Sequence, residues 1–450
     1  MTADETPGRP TAQVAVPGAL DRLIAPTSRE EFADRIWGRR ALLARGSLHS
    51  RRDATQPTST DQQAVVTAPA DHGIESLFSP EAVDELLTRR GLRAPFLRMA
   101  QQGRTLADAD FTSGGGVGAG IRDQVSDDQV RRRFASGATI VLQGLHRTWE
   151  PITDFSQTLA AELGHPVQVN AYVTPPGNQG FSAHYDVHDV FVLQIHGAKA
   201  WRVHAPVWPD PLRTQPWDAR RDEVATAARG EPLFHADVEA GDVLYLPRGY
   251  LHSAVAPGDS EQVSIHLTVG VHTWSRAHLV DAALEEIRRS LAQQADLRTT
   301  LPLGVDVSSP QALEDDAEAV REAIAMAAGQ VSDSSLAAAL FATARSSQRP
   351  APLPVLAQVA ASRDLTANDR LLLRPHLLAT LASDAETAQV TVRSRAGRTS
   401  LPAECGPALE RLIAGEPITV ADLHSDADTA VESARLLLVE GVARSATGGE

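Results

Sequence analysis

Between His165 and Val271 the chain repeatedly alternates polar and apolar residues, the period of a β-strand whose two faces meet different surroundings. In Gln168-Val169-Asn170-Ala171-Tyr172 the polar residues share one face, and Val169, Ala171 and Val173 share the other. In Ser264-Ile265-His266-Leu267-Thr268 the polar face is Ser264, His266 and Thr268, with Ile265, Leu267 and Val269 opposed. A single strand of this kind reads as a surface strand with its polar side in water. Several of them around a histidine-rich motif imply a barrel whose polar faces line a cavity.

That motif is His184-Tyr185-Asp186. Read as a strand, it puts the imidazole and the carboxylate on one face, able to hold one metal ion. A second histidine would complete a facial set of two His and one carboxylate, the arrangement that suits non-haem Fe(II) and leaves positions open for other ligands. The best candidate is His252, at the end of Gly241-Asp-Val-Leu-Tyr-Leu-Pro-Arg-Gly-Tyr-Leu-His252, 252 − 184 = 68 residues on. His188 shares the strand face and competes as a ligand, but a spacing of about 13 Å from His184 places it at the cavity rim. Asp189 points to the opposite face. His196 and His204 read as surface residues, Tyr245 as core, and Arg248 as exposed or in reach of a substrate. Ile195 to Lys199 predicts a hairpin turning at Gly197. Lys199 is then a lone cation on an otherwise apolar strand with Trp201 and Val203, where burial calls for an anion.

With these motifs in order, the stretch from Pro26 to Val271 resembles the JmjC-type cupins of the ribosomal oxygenase group, which are 2-oxoglutarate-dependent protein hydroxylases. The resemblance rests on Trp37-Gly-Arg-Arg-Ala-Leu-Leu, on His184-Tyr-Asp186 with Asp189-Val-Phe-Val-Leu-Gln, on Gly197-x-Lys199-x-Trp201-Arg and on Pro-Arg-Gly-x-x-His252. It implies a double-stranded β-helix (jelly-roll cupin) core with flanking helices. His184, Asp186 and His252 would be the iron ligands. Lys199 would pair with the distal carboxylate of 2-oxoglutarate, as a charge-assisted bond requires. Asn170 and Tyr172 would line the pocket. Gly270 stands where some relatives carry Ser, and Thr268 is a replacement for that hydrogen bond. The implied co-substrates are 2-oxoglutarate and O2, and the implied substrate is a protein side chain, of a ribosomal protein or the ribosome. Small-molecule hydroxylation and N-methyl-lysine demethylation use the same chemistry, and a non-catalytic metal-binding cupin is the alternative of another class. A hydrolase is disfavoured, because Gly180-Phe-Ser182-Ala-His184 lacks the closing Gly of a nucleophile elbow.

The rest of the chain frames this core. Residues 1 to 18 are expected to be disordered and 49 to 72 a mobile insert within a catalytic domain spanning 19 to 273. Ser28 and Ser79-Pro80 start helices. The glycine-rich run Ser113 to Gly120 is a flexible loop rather than a dinucleotide site. His278 to Leu291, Pro310 to Gly329 and Leu336 to Ala344 are helical, a segment (274–348) that by resemblance mediates homodimerisation. Beyond Arg349-Pro-Ala-Pro-Leu-Pro354, residues 352 to 450 predict a winged-helix-like module, with helical character at Leu371 to Leu378, a strand at Gln389 to Arg393 and further helices from Cys405 and Thr429. A net charge of −15 argues against general nucleic-acid binding, although it leaves room for a local basic patch. One cysteine, Cys405, and no apolar leader or spanning run suit a cytoplasmic location without a membrane anchor.

Overall fold

The alternating runs of residues 165 to 271 pair into two facing sheets. A computed structural model describes residues 18–47, 64–179, 181–258, 261–384 and 386–446. They fall into two units, one up to His272 and one from Thr273 onward.

The first unit is mainly β. Its large sheet runs in the order Ala64–Val66, Ala41–Ala44, Val243–Leu246, Asp189–His196, Ser264–Val271, Val167–Thr174, Thr139–Leu142, Leu97–Gln101 and Arg104–Thr105. The centre is antiparallel, with Leu267 opposite both Ala171 and Leu193. Val169, Ala171, Val173, Ile265, Leu267 and Val269 are all buried on one face, in a core that includes residues of the helices Ala19–Ile24, Pro80–Arg89 and Glu150–Leu163. The other face carries Asn170, Tyr172, His266 and Thr268 into a cavity. Facing it is a smaller sheet, Phe234–Glu239, Ala198–His204 and Leu251–Val255 in that order. Trp201, Val203, Phe234 and Val238 pack there against Val190, Val192 and Leu244 of the large sheet.

Several expectations are corrected. His184-Tyr185-Asp186 is not part of a regular strand; the strand begins at Asp189, and His184 forms an isolated bridge to His252. Strand spacing therefore does not govern where His188 lies. Gly197 is not the turn of a hairpin. The strand ending at His196 belongs to the large sheet and the one starting at Ala198 to the small sheet, so Gly197, at φ 63°, carries the chain across a corner. The end of the predicted insert is ordered: Ala64–Val66 pairs in parallel with Ala41–Ala44, and buried His72 bonds the carbonyls of Arg22 and Arg45. Residues 49 to 63 of that insert, and 1 to 17 of the tail, lie outside the described residues. The helices Glu150–Leu163 and Val355–Arg363 are additions to the sequence expectation. Arg370–Leu373 is a strand rather than a helix, because Leu371 pairs with Ile418 and Ser445. His204 is buried, and His196 is half-buried with Nδ1 against the Val263 carbonyl.

The second unit holds helices Arg276–Gln293, Glu314–Gln330 and Asp333–Ser347, then a small α/β core. That core packs Leu371, Val392 and Leu401 against Leu409, Leu412 and Leu437. Among the described residues, no single helix is long and apolar enough to cross a membrane.

Candidate metal centre and its cavity

The site joins the irregular segment of His184 and Asp186 to the strand Leu251–Val255, which carries His252, through backbone bonds. The His184 N–H donates to the His252 carbonyl at 3.1 Å, and the His252 N–H donates back at 2.9 Å. The Gly249 N–H donates to the Asp186 carbonyl at 2.9 Å. Among the described residues, His184, Asp186 and His252 form a group whose ligand atoms all lie within 4.8 Å of one another. The His252 Nε2 to Asp186 Oδ2 distance is 3.7 Å, and the two imidazole centroids are 4.5 Å apart.

The ring nitrogens are set by carbonyls. Nδ1 of His184 lies 2.8 Å from the Ser182 carbonyl, and Nδ1 of His252 lies 3.0 Å from the Tyr250 carbonyl. A carbonyl only accepts, so both Nδ1 atoms carry hydrogen and both Nε2 atoms keep their lone pairs for a metal. Burial lowers the His252 pKa to about 4, aided by His184. The ring is therefore neutral at physiological pH. Burial acts to raise the Asp186 carboxyl, but His188, His184 and His252 outweigh it and hold it below its ordinary value. Two imidazoles presenting Nε2 and one carboxylate are the donor set that fits a first-row divalent ion such as Fe(II).

Asp189 ties the two segments together. Its buried carboxylate accepts from the Tyr245 hydroxyl at 2.6 Å and the Arg248 N–H at 3.1 Å. The Arg248 guanidinium lies 3.7 Å from Asp189 and 3.2 Å from Asp210. The Tyr245 hydroxyl in turn accepts from the Gly38 N–H, with Trp37 stacked on its ring. Tyr245 is thus core, as its sequence context suggests, and the Trp37-Gly38 segment buttresses the site from behind. Asp242, from the Gly-Asp run, is also buried and structural: it holds Arg45 and the Gly46 N–H.

The cavity between the sheets measures about 250 Å³. At one end sits Lys199, buried, with Nζ donating to Thr174 Oγ1 at 3.2 Å. Among the described residues, no carboxylate pairs with it, and burial brings its pKa down to about 7. Tyr172 and His266 stack with centroids 5.0 Å apart. Burial lifts the Tyr172 hydroxyl to about 12, reinforced by Asp186 and opposed by Arg98. Asn170 and Thr268 line the cavity, Asn170 Oδ1 also accepting from the Gly144 N–H at 3.1 Å. His188 lines it too, and a Cβ at Gly270 would sit 3.2 Å from the His188 ring.

The structure brings together every predicted site residue and adds others. His266 is visible in the sequence as the middle of a polar strand face, without a mark that singles it out. Arg98, whose Nε is buried without a partner among the described residues, comes from a strand with no such pattern. Trp217, 6.3 Å from the His184 ring, comes from a long connection that no periodicity marks.

Comparison with known proteins matches residues 146–279 to the JmjC domain family. A Drosophila mojavensis "Bifunctional lysine-specific demethylase and histidyl-hydroxylase NO66" is 38% identical over 143 residues, 31% of this chain and 15% of that protein. The Rattus norvegicus "Ribosomal oxygenase 1" is 27% identical over 305 residues, 66% of this chain and 44% of that protein. This chain spans less than half the length of the curated relatives it matches. Among solved structures, the Escherichia coli ribosomal oxygenase YcfD in complex with cobalt and 2-oxoglutarate aligns with 94% of this chain and 99% of that one, at 15% identity and a TM-score of 0.48.

Proposed function

From a JmjC domain at residues 146–279, with homologues among the ribosomal oxygenases, we propose that this chain is an Fe(II)- and 2-oxoglutarate-dependent oxygenase that hydroxylates a protein side chain, with a ribosomal protein as substrate. One observation carries the reading: two Nε2 atoms and a carboxylate converge in the same cavity that holds a buried lysine with no carboxylate partner among the described residues.

In this reading His184, Asp186 and His252 hold the iron. Bound together, iron and 2-oxoglutarate supply the oxidising power to insert one atom of O2 into a C–H bond, and 2-oxoglutarate leaves as succinate and CO2. The chain's own residues bind, orient and exclude water. Lys199 receives the distal carboxylate, with Thr174 fixing its ammonium group. Asn170, Tyr172 and Thr268 line the same cavity as Lys199 and the metal-binding face. The Tyr172–His266 stack and Trp201, 5.8 Å from the His252 ring, keep the interior dry.

The segment 274–348 is proposed to form a homodimer. Val280, Leu284, Ile324 and Met326 are exposed on its helices, Met326 at 64%. The α/β core from residue 352 is proposed as a winged-helix-like module, and a cytoplasmic location follows from the ribosomal substrate. Incubating the chain with Fe(II), 2-oxoglutarate and ribosomal proteins of the source cell tests the substrate class. Mass spectrometry should find one added oxygen atom on a single protein. Turnover with no oxygen added to any ribosomal protein would refute the assignment.

A further inference from the structure

The net charge of −15 conceals a basic corner in the second unit. Strands Thr380–Asp384, Gln389–Ser394 and Gly397–Pro402 form a sheet in that order. The last two strands carry Arg393 and Arg398 at their joined ends, and the tight turn between them carries Arg395. The register sets Arg393 directly opposite Arg398. Like charges facing each other across strands destabilise a sheet, and both residues are exposed. Among the described residues, neither forms an ion pair with a carboxylate.

Two more arginines are anchored beside this sheet. Arg345, from helix Asp333–Ser347, donates to Thr380 Oγ1 at 3.3 Å, and Thr380 is paired with Arg393. Arg395 donates to the His376 carbonyl at 2.8 Å, while its Nε is buried without a partner among the described residues. The nearest acidic residue on these strands, Asp384, lies at the far end of the sheet, opposite Gln389. The turn itself adds only the small residues Ser394, Ala396 and Gly397, with none of the large apolar side chains that form the centre of a protein interface.

We propose that this arginine corner binds the phosphate backbone of RNA. Guanidinium forks match phosphate oxygens, and a rigid hairpin presents them at little entropic cost. An anion between Arg393 and Arg398 relieves a repulsion that the fold otherwise retains. The choice of RNA over DNA rests on the ribosomal reading above; the phosphate contact does not.

The test is fluorescence anisotropy of the full chain with a labelled RNA hairpin and a DNA hairpin of the same sequence, from about 50 to about 200 mM salt. Wild type is expected to bind the RNA at the lower salt. Arg393→Gln with Arg398→Gln should weaken binding at least about tenfold and flatten the slope of log K against log salt by about two. The control pair Arg276→Gln with Arg321→Gln makes the same charge change elsewhere and should leave both unchanged. Matching unfolding midpoints would show that the variants are folded. Absence of RNA binding by wild type, equal losses in both pairs, undiminished binding by the Arg393/Arg398 pair, or binding of DNA alone would overturn the proposal. Binding is read without turnover, so a failed hydroxylation assay and a failed binding assay have separate meanings.

Discussion

At His184 and His252 the peptide carbonyls of Ser182 and Tyr250 decide which ring nitrogen is free, and so decide that the metal face exists before any metal arrives. Asp189 acts one layer out, by bonding the turn at Arg248, which leads into the strand of His252, to the strand that follows Asp186. Asp189→Asn is predicted to weaken Co(II) binding about 10- to 100-fold while the chain remains folded; an unchanged Co(II) titration would remove Asp189 from the positioning scheme. Lys199 gives a pH signature. Its folded-state pKa of about 7 lies below the ordinary 10.5. Between those values the unfolded chain binds more protons than the folded one, so the lysine's contribution makes stability rise with pH across that window. Affinity for 2-oxoglutarate runs the other way, because only the ammonium form holds a carboxylate. In the Mn(II)-loaded chain it should fall about tenfold per pH unit above 7, and Lys199→Arg should flatten the profile. A flat wild-type profile would contradict the role. Residue type and order in the sequence single out His184, Asp186 and His252, which the fold brings together. Their geometry is not legible in the sequence, because the period-2 rule belongs to strands and this segment is irregular: His184 is tied by an isolated bridge to His252, a pairing 68 residues away that no local pattern encodes.

At the scale of elements, the strands that surround the cavity are legible where one face is core and the other polar, as at Val167–Thr174 and Ser264–Val271. The segment at Gly197 is not, because a glycine between two strands signals a reversal or a corner equally well. Partner choice separates the two, and it depends on distant strands. The corner makes Gly197 irreplaceable: at φ 63°, an added Cβ would lie 2.5 Å from the Val263 carbonyl oxygen. Gly197→Ala is predicted to cost about 1–3 kcal/mol, read as a lower urea midpoint for the first unit. A midpoint equal to wild type would mean that the corner relaxes freely. The helix Glu150–Leu163 is disguised by Thr153, Ser156 and Thr158, which are weak helix formers, and it declares itself only through Ile152, Phe155 and Leu159 on its buried face. Arg370–Leu373 resembles a helix in sequence because a run of leucines carries no period of its own.

On the scale of the whole molecule, composition is a coarse guide. A strongly acidic total coexists with the arginine corner, since net charge averages over surfaces that act separately. The helical segment is amphipathic, and its exposed apolar residues are what a homodimer would cover. Sedimentation equilibrium should give a dimer for wild type and a monomer for Leu284→Asp with Ile324→Asp; a wild-type monomer at micromolar concentration would end the dimer proposal.

The most direct test of the oxygenase reading is succinate formation from 2-oxoglutarate with Fe(II) in air, wild type against His184→Ala, with and without ribosomes of the source cell. Metal-dependent succinate is expected in wild type, stimulated by ribosomes and lost in the variant. Absence of succinate from wild type in every condition, together with no binding of 2-oxoglutarate, would contradict that reading and leave a metal-binding cupin without turnover.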